Sequence, residues 1–287
     1  MTADVDRQAA HSRVPLGRIE RLSDGYALAF DRQFDYPRSY IWNLLTEPAK
    51  VRLWLGELAS EWELGKEYSL DLGAGASTGT VLQLNPPTSL QISWEDALGL
   101  ESILEWRVLE CDGGTLLQFQ ARSETPDFLT EGAAGWQQIL AALDDVAAGR
   151  DPQPSGDWAA LRDAYAAEFD LSNTMGMLET ADGVTMVHFD RCLPAPLPLV
   201  NDALTADPEQ QPMVEQAEVD LRTDGARTRL TVRHVLEDLA DAPALMARWH
   251  AHLDAVAVSL EGGQPHASTR KLHALEDLYR TGVGNPA

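Results

Sequence analysis

Apolar residues in the first half of the chain change period twice. Between Tyr26 and Phe34 they alternate loosely, as in a part-buried strand. Pro37 then opens a stretch, Arg38 to Thr46, in which Ile41, Leu44 and Leu45 share one helical face and Glu47-Pro48 ends the run. A second short helix is expected over Ala49 to Trp54, with Val51, Trp54 and Leu55 at helical spacing before Gly56. From Trp62 to Arg122 the period shortens to that of strands, in the runs Glu67 to Leu72, Gly79 to Leu84, Leu90 to Trp94, Ser102 to Leu109 and Thr115 to Ala121. The turn formers Gly73-Ala74-Gly75, Asn85-Pro86-Pro87-Thr88 and Asp112-Gly113-Gly114 separate several of them, so a sequential antiparallel meander is expected. After Gly132 the helical period returns, with Trp136, Ile139, Leu140 and Leu143 in one stripe. Strand, helix pair, about five strands and a long helix predict an α+β helix-grip, a curved antiparallel sheet wrapped around its closing helix.

The chain then repeats this plan with a gap. Phe30-Asp31-Arg32, Pro37 and Leu45-Thr46 recur 159 positions later as Phe189-Asp190-Arg191, Pro196 and Leu204-Thr205. Thr115, Trp136, Leu140 and Gly149 recur at an offset of 113, as Thr228, Trp249, Leu253 and Gly262. The second copy is therefore 46 residues shorter between its opening helix and its last strand, which at roughly 8 to 12 residues per strand and turn removes about four strands. Leu161 and Tyr165 are matched by Leu275 and Tyr279, so each unit ends in a short appended helix. The expected division is an N-terminal arm (1–22), a complete unit (23–150), an appended helix and linker (151–183), a shortened unit (184–263) and a last helix (264–287). Asn173 to Gly183 reads as the linker.

Composition narrows the partners. A formal net charge of −23 repels phosphate backbones and anionic membrane surfaces. No apolar stretch is long enough to span a bilayer, and Met1 to Gly17 lacks the apolar run of a secretory signal, so a cytoplasmic location is expected. Cys111 and Cys192 stand far apart, without the spacing of a zinc site or a disulfide framework.

Copy one resembles the activator of Hsp90 ATPase homologue-like branch of the START/Bet v 1 (SRPBCC) helix-grip superfamily over roughly Tyr26 to Gly149. The resemblance rests on Pro37-Arg38-Ser39-Tyr40-Ile41-Trp42, Leu45-Thr46-Glu47-Pro48, Trp54-Leu55, Ile92-Ser93-Trp94, Gly113-Gly114-Thr115 and Gly135-Trp136. Copy two resembles the same family through Phe189-Asp190-Arg191, Leu193-Pro194-Ala195-Pro196, Thr228 to Val232 and Trp249 to Leu253, but lacks the central strands and any counterpart of Trp54 or Trp94. Its edges and half-covered helix must then be buried against copy one or, in a homodimer, against a second chain.

The resemblance implies a cavity between sheet and closing helix that accepts apolar or amphipathic small molecules. Trp54, Tyr68, Trp94, Trp106, Phe119, Trp136 and Leu140 are the candidate ligand-binding residues, with Trp62 as further aromatic surface. Singly, each is more simply read as core packing; as a set, they are equally the lining of a pocket. His250 and His252 point to opposite sides of a helix and cannot share a metal; His234 could approach His250 as a hydrogen-bonded pair, but a structural or interface role is the expected one. Glu95, Asp96, Glu105 and Glu110 are expected to be solvated rather than catalytic. No nucleophile elbow, phosphate loop, dinucleotide fingerprint or HExxH occurs. No catalytic residue, metal or cofactor is assigned. The leading expectation is noncatalytic binding or sensing of a small apolar ligand. A polyketide cyclase or aromatase-like enzyme and a chaperone-linked interaction module are the alternatives.

Overall fold

The computed structural model describes residues 15–73, 75–95, 101–124, 127–153, 157–264 and 269–280. Its first unit is built on one antiparallel sheet of strands β1 (Arg18–Leu22), β2 (Gly25–Phe34), β3 (Glu57–Leu58), β4 (Glu67–Asp71), β5 (Ala76–Asn85), β6 (Ser89–Glu95), β7 (Glu101–Cys111) and β8 (Gly114–Ser123). Their order is β1-β2-β8-β7-β6-β5-β4-β3, so β3 to β8 form a sequential meander and β2, with β1 beyond it, pairs alongside β8. Helices α1 (Arg38–Thr46) and α2 (Pro48–Val51) lie between β2 and β3, and α3 (Leu129–Ala147) is the long closing helix.

Alternation places Leu117 and Phe119 of β8, Leu104, Trp106 and Val108 of β7, Leu90 and Ile92 of β6 and Leu70 of β4 inside. They meet Ala133, Ala134, Leu140 and Leu143 of α3 and Ile41, Leu44 and Leu45 of α1 in one core. The last carbonyls of a helix have no partner within it. At the end of α1, the Trp54 and Trp62 indoles donate from Nε1 to the carbonyls of Leu44 (2.9 Å) and Leu45 (3.1 Å).

A second sheet, β9 (Met177–Ala181), β10 (Val184–Leu193), β11 (Glu218–Asp224) and β12 (Arg227–Val235), has the order β11-β12-β10-β9. It is accompanied by α5 (Leu197–Leu204), α6 (Gln211–Glu215), α7 (Ala242–Leu260) and α8 (Thr269–Arg280), while α4 (Trp158–Phe169) stands between the sheets in sequence. The bounds of β9 and β10 lie 159 positions after those of β1 and β2, and those of α7 lie 113 after those of α3. Contacts recur as well. Thr115 Oγ1 donates to the Tyr36 carbonyl (2.7 Å), and Thr228 Oγ1 donates to the Ala195 carbonyl (2.8 Å). Gly17 and Gly176 each lie against a phenylalanine ring, where an added Cβ would come within 2.3 Å of Phe30 and 2.4 Å of Phe189. Their amides donate to Tyr165 Oη (2.7 Å) and Tyr279 Oη (3.1 Å). Those hydroxyls in turn bond Gln137 Oε1 (2.9 Å) and His250 Nδ1 (2.8 Å).

Three strands differ from the sequence reading. β1 lies in the expected arm, β9 lies within the stretch read as linker, and β3 is a two-residue pairing with β4. β1 and β9 are five-residue edge strands held by one neighbour, with too little buried surface to leave a periodic trace. Helix α2 is also shorter than expected, ending at Val51. Turn residue Ala74 and Asp96 of the sequence reading lie outside the described residues.

The closing helix of the second sheet is covered within the chain. Its Trp249, His250, His252 and Leu253 are buried, packed with residues of α5 and α8 and with Phe128 from the first unit. Tethers hold the units together: Met175 N donates to Glu131 Oε1 (2.6 Å), and Phe128 N donates to Thr174 Oγ1 (2.9 Å). Trp158 packs against both cores. Among the described residues no helix is long and apolar enough to cross a membrane.

Burial, then the charges of Arg191 and Lys271, push His250 down to about 3 against the pull of Asp254, whose Oδ2 lies 3.5 Å from Nε2. The unfolded chain therefore binds a proton here that the folded chain refuses, and stability contributed by neutral His250 is lost as pH falls from 6.5 towards 3. At pH 5 the loss amounts to about 2 kcal/mol. Gln137 makes the matching contact to Tyr165 without titrating. His250→Gln is expected to keep the Tyr279 bond and to flatten this part of the pH dependence, measured by urea denaturation at pH 7.5 and pH 5; an unchanged slope would refute the assignment.

Candidate functional site

Inward-facing residues shrink towards one end of the first sheet. Along β8 the series Leu117, Phe119, Ala121, Ser123 ends in small side chains, β7 begins at Ser102, and β5 presents Gly79 opposite Tyr68. The facing turn of α3 carries Gly132. Small residues on both walls leave a cavity of about 1440 Å³, lined by these positions together with Leu28, Tyr68, Trp94, Leu129 and Trp136.

The floor is aromatic. The Trp136 ring is 4.4 Å from that of Phe119, 5.8 Å from Trp94 and 6.4 Å from Trp106, the last two edge-on. Trp106 also packs on Phe119 at 5.2 Å. Of the candidate residues, Tyr68, Trp94 and Trp136 line the cavity. Trp106 and Phe119 are buried behind that surface and support it. Leu140, one helical turn beyond Trp136, is fully buried, and Trp54 packs against α1 with its indole on Leu44.

Hydroxyls border the cavity: Ser102 and Ser123 share the inward face with Trp94 and Ala121, whereas Ser69, Thr78, Thr80 and Ser93 alternate with the inward Tyr68, Gly79 and Trp94 and stand on the outer face at its rim. Several are engaged within the sheet. Ser93 Oγ accepts from Thr80 N (2.8 Å), beside the register shift between Val81 and Gln83, and Tyr68 Oη donates to the Ser93 carbonyl (2.8 Å). Gly79 permits this close approach, since a Cβ there would lie 2.0 Å from the Ser93 carbonyl oxygen. Burial pushes the Tyr68 phenol upward, so it serves as a neutral donor.

At the other end the wall is the segment before α3. Phe128 adopts the left-handed conformation (φ 59°) as the residue preceding the helix, and its ring lies 5.2 Å from that of His250 in the second unit. Asp127, next to it, faces the cavity, and burial pushes its carboxyl upward, with Asp254 adding to the effect. The sequence reading missed Asp127, Phe128 and Gly132. Only the glycine carried a signal, as a small residue within an otherwise apolar stripe.

Other candidates separate in space. Glu95 stands at the cavity mouth. Glu105 is on the opposite face of the sheet, buried between Arg107 (2.7 Å) and Arg122 (3.3 Å), and so is paired rather than solvated; Glu110 pairs with Arg38 (3.2 Å). His252 bonds the Leu204 carbonyl (3.0 Å). His234 does not pair with His250, because Trp249 Nε1 donates to His234 Nδ1 (3.2 Å). Cys111 and Cys192 are free thiols. Among the described residues no group of three or more His, Cys, Asp or Glu side chains is placed to hold a metal.

Residues 35–148, within the first unit, match the family model described as Activator of Hsp90 ATPase homolog 1-like protein. Among curated proteins none matches the chain. Similar solved structures include CalU16 from Micromonospora echinospora, 24% identical over 53% of this chain and 94% of its own, with a TM-score of 0.45. A conserved protein of unknown function from Enterococcus faecalis, EF2215, is 18% identical over 59% of this chain and 98% of its own, with a TM-score of 0.46. DynU16, titled a putative protein in the dynemicin biosynthetic locus, is 16% identical over 84% of this chain and 99% of its own, with a TM-score of 0.42.

A Cβ placed on Gly132 meets only Leu28 Cδ1, at 3.4 Å. Glycine costs about 1 kcal/mol relative to alanine inside a helix. Gly132→Ala is therefore expected to stabilise the protein by about 1 kcal/mol in urea denaturation; destabilisation would mean that this wall of the cavity is closed.

Proposed function

We propose that the first unit binds a small apolar or amphipathic molecule between its sheet and α3, and that the chain is a binding or sensing protein. The second unit we read as a shortened copy of the first, serving to pack against it. The observation that carries the binding reading is the 1440 Å³ cavity floored by Trp94 and Trp136 and open between Gly132 and the small residues of β7 and β8. Apolar walls with a few polar groups are the usual lining of a small-molecule site.

The inward hydroxyls of Ser102 and Ser123 favour a second reading, a cyclase-like reaction on the same class of molecule. Such a reaction needs a group that exchanges a proton near neutral pH. Among the described lining residues there is no histidine, cysteine or lysine, and the Tyr68 hydroxyl is committed to the Ser93 carbonyl with its phenol pushed upward, which leaves Asp127, whose carboxyl burial pushes upward, to exchange a proton. Binding without chemistry is the better supported of the two.

Native mass spectrometry of the freshly purified chain, compared with the denatured chain, tests the proposal. The native species is expected to carry the extra mass of one small organic molecule, or to take up one equivalent of diphenylhexatriene when supplied. Gly132→Leu, which fills the cavity from α3, is expected to lose that mass while its far-ultraviolet circular dichroism is unchanged. A bare native chain that takes up no probe would sink the reading.

A further inference from the structure

The cavity is apolar at its floor and acidic at its mouth. Six carboxylates, Asp24, Glu67, Glu95, Glu101, Glu124 and Asp127, stand around its rim, with Glu67, Glu95 and Glu101 on the outer face of the sheet that Glu105 also occupies. The only basic side chain among the described lining residues is Arg122, and its charge is already engaged: Nη2 lies 3.3 Å from Glu105 Oε2, which is on the opposite face of the sheet, and Nε donates to Gln120.

Asp127 differs from the other five carboxylates. They are exposed and hydrated, whereas Asp127 is half-buried, and no hydrogen bond or ion pair joins it to another described residue. The nearby cations of the second unit, Lys271 and Arg191, act on Asp127 through space but bond Asp254 (3.0 Å and 3.3 Å), and burial still pushes the Asp127 carboxyl upward. An unpaired, partly desolvated carboxylate is costly unless a positive group meets it. It adjoins Phe128 at the same end of a cavity whose walls include Trp94 and Trp136, and aromatic faces also attract cations.

The geometry points to an organic cation as the preferred occupant: an apolar, ring-bearing body on the tryptophan floor with an amine or quaternary ammonium head beside Asp127. This rests on the binding reading above and adds the sign of the ligand's charge. An anionic amphiphile of the same shape meets the mouth carboxylates with no free cation to receive it, and is disfavoured.

Three probes of one shape separate the two claims in the full chain: diphenylhexatriene, its trimethylammonium derivative and its propionic acid derivative. Affinities are measured by fluorescence, with the charged probes competing for one equivalent of the neutral one. The cation is expected to bind at least about tenfold more tightly than the anion at low salt, with the gap narrowing at high salt. Asp127→Asn is expected to reduce the cation's advantage over both the anionic and the neutral probe severalfold. Asp202→Asn, on the exposed face of α5, is expected to leave the ratio as it was and so to report the contribution of overall charge. If the neutral probe binds and the anion matches or exceeds the cation, the charge preference is overturned and the cavity reading survives. If Asp127→Asn and Asp202→Asn have equal effects, the assignment to Asp127 is overturned. If no probe binds, the cavity reading itself fails.

Discussion

One helix cannot cover eight strands. Neighbouring strands lie about 4.8 Å apart, so the first sheet is roughly 34 Å wide along its surface, while a helix with its side chains is about 10 Å across. Curling the sheet around α3 reduces the mismatch, and α1 and α2 bring Ile41, Leu44, Leu45 and Val51 over part of the remainder. What is left uncovered is where the inward residues are small, at Ser102, Ala121, Ser123 and Gly79. The second sheet has four strands, roughly 14 Å wide, and α7 with α5 beside it matches that span. The strand count thus decides which of the two sheets leaves room beneath its closing helix.

A cavity of 1440 Å³ has thermodynamic consequences. It opens to solvent at its mouth rather than being sealed within the core. The space must therefore be filled, by water or by a molecule that displaces it. Ser102 of β7 and Ser123 of β8 give water partners near the walls, whereas the rings of Trp94 and Trp136 give it none. Water over those rings is the most readily displaced, and the gain on apolar binding is concentrated there. Trp106 and Phe119, packed immediately behind, keep the floor from folding inward.

The architecture of the first unit was largely legible because its strands alternate large apolar residues with polar ones. Leu104, Trp106 and Val108 in β7 and Leu90 and Ile92 in β6 leave little choice of face. Arg38 to Thr46 was delimited by Pro37 and Glu47-Pro48, and the helix has those bounds. β1 and β9 were not legible, because each is held by a hairpin to one neighbour rather than by a buried face of its own. The site was legible only as a set of aromatics. Period alone puts Trp94 and Trp106 on the same inward face of adjacent strands, yet one lines the cavity and the other supports it. The distinction lies in where along each strand the inward residues become small, which requires register between strands. Asp127 and Phe128 left no local trace, because their surroundings come partly from residues more than a hundred positions away.

That last contact binds the two units into one argument. Phe128 forms part of the cavity wall and also packs on His250, while its amide is held by Thr174 and the adjoining Glu131 holds Met175. The residue occupies the left-handed region without being glycine, a conformation of elevated energy that persists only where its surroundings impose it. Here the surroundings are the second unit. Removing that unit would release the Phe128 ring and amide together and leave the wall beside Asp127 unsupported. The second unit therefore has a structural use: it holds the Phe128 end of the cavity wall in place.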